Sequence, residues 1–379
     1  MPKFKISQSN GKVVTFGGKA IKYTPPALIT GYIFNSSGGA TNGSQMSGDP
    51  DNIDISSNLV YTVNSTGGLW EYNIGTDTGK LYSMGYNPSS GDNMPAAPSR
   101  GVGIDATNNE VVVSILTGGI WKLDYSTDTG KLFNTSGGAG NGSQVPNNTS
   151  YGIAVKESTN VFWTMANFSG IWEYNGGTDT GKIYNTSGGV GNGSQLPNNT
   201  VNTYAIYYHS SSDILYVGTG GGGVWEYNVG TDTGVIYNTS FTPGSGDQLP
   251  SNNIISVFRS GNVIYVGTAS GIWEYNTGTD TGKVYNTSGG VGNGSQLPNN
   301  TVNGIGVNSS TNILYAGTGG GGLWEYNIGT DTGSIYNTSG GVESGSELPD
   351  NTTNMVKVDE SNDIIWVGTN GGGLWRLTN

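Results

Sequence analysis

Cysteine is absent from this chain of 379 residues, histidine occurs once and arginine three times. Without cysteine there are no disulfides and no thiolate chemistry. A lone histidine cannot assemble a zinc site of the usual kinds. No run approaches the roughly 18 apolar residues of a membrane-spanning helix, and the opening MPKFKISQSNGKVV has no apolar stretch of signal-peptide length. Charged residues make up only 11% of the chain, and the net charge is −12. The first 28 residues hold Lys3, Lys5, Lys12, Lys19 and Lys22, and the first acid is Asp49. The rest is therefore strongly acidic. That argues against duplex nucleic acid as a partner, because affinity there comes largely from Lys and Arg on phosphates. No metal or cofactor is expected.

Glycine, asparagine, serine and threonine take up much of what is there. Glycine alone numbers 66, yet nine Trp and 22 Tyr accompany it. Disordered chains are poor in aromatics, so the composition points to ordered strands joined by Gly- and Asn-rich turns.

Self-similarity is the dominant signal. Gly-x-Trp recurs seven times, with its tryptophan at Trp70, Trp121, Trp172, Trp225, Trp273, Trp324 and Trp375. The spacings are 51, 51, 53, 48, 51 and 51, and residues 184–202 and 285–303 are identical. One unit, from Asn303 to Asn337, reads as four short strands: a loosely alternating one at Gly304–Val307, a continuous apolar run at Ile313–Ala316, an aromatic alternation at Leu323–Asn327 and a last strand at Ser334–Asn337. Gly319–Gly322 and Gly329–Gly333 supply the turns. Four antiparallel strands in each unit of about 50 residues predict an all-β propeller.

The seventh repeat ends at Leu374–Asn379, after its third strand, while Ile29–Asn35 has the pattern of a fourth. The leading strand is expected to complete the last blade, closing a seven-bladed β-propeller over residues 29–379 and removing exposed sheet edges. Residues 1–28 then form a separate N-terminal arm, with short strands expected at Phe4–Ser7, Val13–Phe16 and Ala20–Tyr23.

Asp363–Leu374, reading DIIWVGTNGGGL, resembles the propeller repeats of hybrid two-component sensors, as do Leu196–Asn199 and Leu297–Asn300, both Leu-Pro-Asn-Asn. The resemblance runs over residues 29–379 and implies the fold. In those sensors the propeller reads ligands outside the inner membrane; this chain carries no kinase or membrane part, so the role does not transfer. Ser126–Phe133 resembles the Asp-box hairpin of sialidases, with Asp77, Asp128, Asp179, Asp232, Asp280 and Asp331 in equivalent turns. In those families the motif is a structural turn remote from the active site.

The seven tryptophans are expected in the core. Burying one removes roughly 150–250 Å² from water, about 4–6 kcal/mol gross. The next position reads Glu71, Lys122, Glu173, Glu226, Glu274, Glu325, Arg376, and this reversal of charge is expected to mark a solvated face. His209 reads as a turn residue with no nucleophile elbow nearby. Arg100, Arg259 and Arg376 fall at different points of their repeats, against an arginine triad. The loop Thr186–Asn199 is expected to share one polar face with the turn Gly218–Gly223. Its amides, Asn185, Asn192 and Gln195 together with Asn286, Asn293 and Gln296, are the candidate ligand contacts, suited to weak multivalent binding of glycans.

These readings favour a non-catalytic structural or binding propeller: a phage virion component of tail or capsid, or a surface protein, docked to other subunits through residues 1–28. A carbohydrate-binding lectin is the alternative, and a glycoside hydrolase or lyase the less favoured third reading. The expected location is a virion or the cell exterior.

Overall fold

Each repeat folds as an antiparallel blade whose order in the sheet follows the chain. In blade six the strands are Val302–Asn308, Ile313–Thr318, Leu323–Asn327 and Thr332–Tyr336, the first lining the ring axis and the last at the rim. This computed structural model describes residues 14–16, 19–21, 30–66, 68–340, 344–345 and 347–378. Seven such blades are present, and blades four and five are additionally joined by one bridge between Tyr204 and Ser256.

The ring closes as expected. Thr30–Phe34 pairs antiparallel with Gly373–Thr378, setting Tyr32 opposite Arg376, Ile33 opposite Trp375 and Phe34 opposite Leu374. Strands from the two ends of the chain thus share one sheet. In the arm, Val14–Phe16 and Lys19–Ile21 pair as a two-stranded sheet of their own, overlapping the strands expected at Val13–Phe16 and Ala20–Tyr23; the strand expected at Phe4–Ser7 lies outside the described residues.

One correction concerns the strand count. Every blade carries a fifth, two-residue strand at its rim, donated by the preceding linker and running parallel to the fourth. In blade four it is Asn192–Gly193, beside Thr233–Gly234. Gly193 has φ +77°, and a Cβ on Gly234 would run into the Ser194 carbonyl oxygen, so this close approach of two backbones needs glycine on both sides. The short strand caps the outer edge, as natural sheets do to block edge-to-edge association.

All seven repeat tryptophans are fully buried. In six of them the indole N–H donates to the carbonyl of the residue just after the rim strand: Trp70 to Ser44, Trp121 to Asp92, Trp172 to Ser143, Trp225 to Ser194, Trp273 to Asp247 and Trp324 to Ser295, at 2.8–3.0 Å. The ring therefore fills the space between blades and also pins the incoming linker.

Candidate functional site

The six turn aspartates all adopt left-handed backbone, φ +51° to +54°, which Asp tolerates better than most residues. Each carboxylate accepts from a tyrosine hydroxyl at 2.7–2.9 Å: Tyr72 to Asp77, Tyr86 to Asp128, Tyr174 to Asp179, Tyr227 to Asp232, Tyr275 to Asp280 and Tyr326 to Asp331. Several also hold the preceding linker, as when Ser89 donates its N–H and hydroxyl to Asp128. Five of these tyrosines stand five residues before the aspartate in the same hairpin, so the bond closes the turn, while Tyr86 reaches Asp128 from the preceding linker.

Five of these carboxyls lie below the usual range: Thr41 lowers Asp77, Ser89 Asp128, Tyr174 Asp179 and Tyr326 Asp331, while at Asp232 burial is outweighed by Tyr227 and its neighbours. A carboxyl depressed in the folded state stabilises above its unfolded pKa, near 4, and the benefit is lost as pH falls through the folded values. Glu325 and Glu157, raised by burial, run the other way: their contribution is greatest below the ordinary glutamate range and fades as pH climbs. Melting temperature is therefore expected to drop below about pH 4. Asp179→Asn should flatten that drop in a pH series followed by circular dichroism.

The glutamates after the tryptophans are not on a solvated face, contrary to expectation. They are half-buried and clamped by ring donors from the second and fourth strands. Glu71 accepts from Tyr61 and Tyr82 at 2.8 and 2.9 Å, and Glu173 from the Trp163 indole and Tyr184 at 2.7 and 2.8 Å. Tyr237, Tyr285 and Tyr336 hold Glu226, Glu274 and Glu325. Only where the fourth strand offers phenylalanine does the glutamate change sign. Phe133 accompanies Lys122, which pairs with Glu110 at 2.6 Å. Phe34 accompanies Arg376, whose guanidinium lies 5.8 Å from the centres of both the Tyr32 and Trp366 rings.

The inner strands enclose a channel of about 660 Å³ along the ring axis. One register position of these strands reads Asp54, Gly103, Ala154, Tyr207, Phe258, Gly306 and Lys357 from blade one to blade seven. This layer is where the repeats diverge most. Lys357 reaches Asp54 at 2.6 Å across the junction of the last and first blades, and Asp54 also accepts from the Ile104 N–H at 2.9 Å. Burial works against the Lys357 ammonium, but Asp54 outweighs it and the pKa lies above the ordinary lysine value. Opposite, Tyr207 and Phe258 pack with ring centres 4.7 Å apart. Sequence reading missed this layer; its signal was the lack of repetition at a strand position that the other strands keep uniform.

The two arrangements that resemble catalytic parts do not assemble. His209 meets Ser212 through Nδ1 at 2.7 Å, and neither ring nitrogen is bonded to a carboxylate among the described residues. Burial, and then Arg259, lowers its pKa. The neighbouring Asp213 is held by Lys156 and Tyr208. Arg100 pairs with Asp51, Arg259 bonds Tyr216 and Arg376 sits between two rings, each in a different blade. Among the described residues no group of three or more His, Cys, Asp or Glu could hold a metal ion.

The predicted ligand amides divide into three settings. Gln195 closes its own loop, accepting from the Val190 N–H at 3.0 Å and donating back to the Val190 carbonyl at 2.9 Å; Gln296 does the same with Val291. Asn185 and Asn286 cap turns by accepting from the N–H of Ser187 and Ser288. Asn192 and Asn293 are exposed, but their backbone pairs at the rim beside the Asp232 and Asp331 turns. That is the far end of the blade from the hairpin Gly220–Gly223. The loop Thr186–Asn199 therefore leaves the hairpin face, runs down the rim and returns, instead of forming one continuous surface with that hairpin. Its last residues do meet the face: Asn198 donates to the Gly220 carbonyl at 3.1 Å and Asn299 to Gly319 at 3.0 Å. The geometry brings together backbone carbonyls, threonines and asparagines around the hairpins of blades four and six.

No family model matches this chain, and no curated protein does. Among solved structures, it is similar to the extracellular domain of a putative hybrid two-component system from B. thetaiotaomicron, with a TM-score of 0.67 at 18% identity. The match covers 93% of this chain and 42% of that one, so this chain spans under half of that domain. The extracellular domain of a putative one-component system from the same organism gives 0.60 at 17% identity, covering 87% of this chain and 38% of the other. U3-55K gives 0.63 at 8% identity, covering 93% and 99%. At such identities the likeness establishes the propeller fold, which hosts unrelated functions.

Proposed function

We propose that this chain is a non-catalytic recognition propeller working outside the cell, held in a surface assembly by residues 1–28 and binding neutral polar ligands, glycans foremost, on its hairpin face. A place on a virion, as a tail or capsid accessory protein, is the form of this reading we favour. The observation that carries it is where the charges go. Lys357, Lys122, Lys156 and Arg100 pair with Asp54, Glu110, Asp213 and Asp51, and the repeat glutamates are engaged by tyrosines. Around the hairpins of blades three and four the face is left with uncharged amides and hydroxyls, which suit binding rather than proton transfer, whereas Asp49 and Asp350 stand beside the blade seven hairpin. Extracellular domains among the structural neighbours support the location, and the separate two-stranded sheet in the arm supports a docking role. Deleting residues 1–28 is expected to abolish incorporation into the assembly while leaving the melting temperature of the propeller unchanged. Unchanged incorporation, measured on purified particles, would remove the docking claim.

A further inference from the structure

Phe168 stands at the tip of the hairpin between Val161–Ala166 and Gly170–Asn175 with 67% of its surface exposed. Its φ is +55°, a region that bulky side chains avoid. At the same tip, blades four, six and seven use Gly221, Gly320 and Gly371, with φ +117°, +110° and +110°. Phenylalanine here is conformationally costly, and so exposed a ring regains little through burial. No core cluster and no aromatic pair among the described residues includes it. A residue that costs the fold without packing in it points to something outside the fold.

From these observations we infer that the Phe168 ring is a stacking platform for a neutral saccharide ring; this rests on the reading of the hairpin face as ligand-binding. The surroundings select the ligand's chemistry. Asn147 donates to the Asn167 carbonyl at 3.1 Å, and the Asn167 N–H donates to Thr149 at 3.0 Å, so this linker is fixed beside the hairpin. Residues 134–151, 166–170, 185–200 and 219–223 contain no ionisable side chain other than tyrosine. A charged ligand finds no counter-charge there. A protein partner would be expected to meet a contiguous apolar patch, whereas Phe168 is a single ring among amides and hydroxyls. The electron-rich face of an aromatic ring attracts the weakly positive C–H edge of a sugar, and amides around it supply hydroxyl partners.

The test uses the full chain on an array of neutral glycans, followed by NMR titration of the best methyl glycoside against phenylalanine-labelled protein. The wild type binds, and the Phe168 ring signals shift. Phe168→Gly weakens binding at least tenfold while its melting temperature stays level or rises, and Phe168→Trp keeps binding. Equal binding by wild type and Phe168→Gly would overturn the platform and leave the face reading standing. No binding by the wild type to any neutral glycan would overturn both. A Phe168→Gly chain that melts several degrees lower would show the ring serving the fold, and would also overturn the inference.

Discussion

Replacing Phe34 by alanine is expected to lower stability by about 3–5 kcal/mol and to open the ring at one seam. Phe34 is 1% exposed and lies between the last and first blades, its ring centre 4.8 Å from Tyr72, 5.6 Å from Trp366 and 6.0 Å from Trp70. Phe133 is its counterpart, 4.5 Å from Tyr174, 5.6 Å from Phe162 and 5.7 Å from Trp172. The rings lose similar packing when truncated, but the strands they sit on differ in connectivity. Phe133 belongs to a hairpin continuous with its blade, whereas Thr30–Phe34 has no hairpin to blade seven and is held by its ladder with Gly373–Thr378 and the two-residue rim pair at Ser344–Gly345. Phe34→Ala should therefore speed amide exchange selectively in those two strands, and Phe133→Ala should not. Denaturant melts give the first quantity and hydrogen exchange the second. Equal exchange in both variants would mean that closure does not depend on this strand's packing.

The blade count and the closure were legible because each rests on a repeated pattern: seven tryptophans, and a lone leading strand that matches the missing one. The rim strand was not. Two residues such as Asn192–Gly193 carry no periodicity, and their position depends on a neighbouring blade. The spacing of 53 between Trp172 and Trp225 was visible, but its meaning needed the register. Val201 faces Thr219 and Ile206 faces Val217, whereas in blade six Val302 faces Thr318 and Ile305 faces Ala316. Two extra residues thus bulge from the inner strand of blade four, next to Tyr207. Bulges of this kind re-aim side chains, and this one lies on the channel wall where the repeats diverge. Most amides of the candidate ligand loops serve the loops themselves, and a carboxylate, Asp49, takes up the Gly373 N–H at the blade seven hairpin. Phe168 escaped notice because a single aromatic in a Gly- and Asn-rich turn forms no pattern.

The charge reversal after the tryptophans was the misread signal, and it yields the second large prediction. A half-buried carboxylate without a donor is costly, so glutamate is retained where the flanking strands bring tyrosine or tryptophan, as at Glu71 and Glu173. In blade two those flanking positions are Val112 and Phe133, neither of which can donate, and the residue between them is Lys122 with Glu110 as partner. The side chains of that pair are only 12% and 13% exposed, so solvent screens them little. Lys122→Glu should take from Glu110 its ion-pair partner, set a second carboxylate beside it and cost about 3–5 kcal/mol, the usual penalty for breaking a buried pair. Combining it with Glu110→Leu, Val112→Tyr and Phe133→Tyr rebuilds the arrangement of blade one, where the positions hold Leu59, Tyr61 and Tyr82, and should recover most of the loss in urea melts. Coupling of this size among the four changes is expected because they share one network. If Lys122→Glu alone were neutral, or if the combined variant were no more stable than the single one, the hydroxyl clamp would not be what fixes the sign of charge at this position.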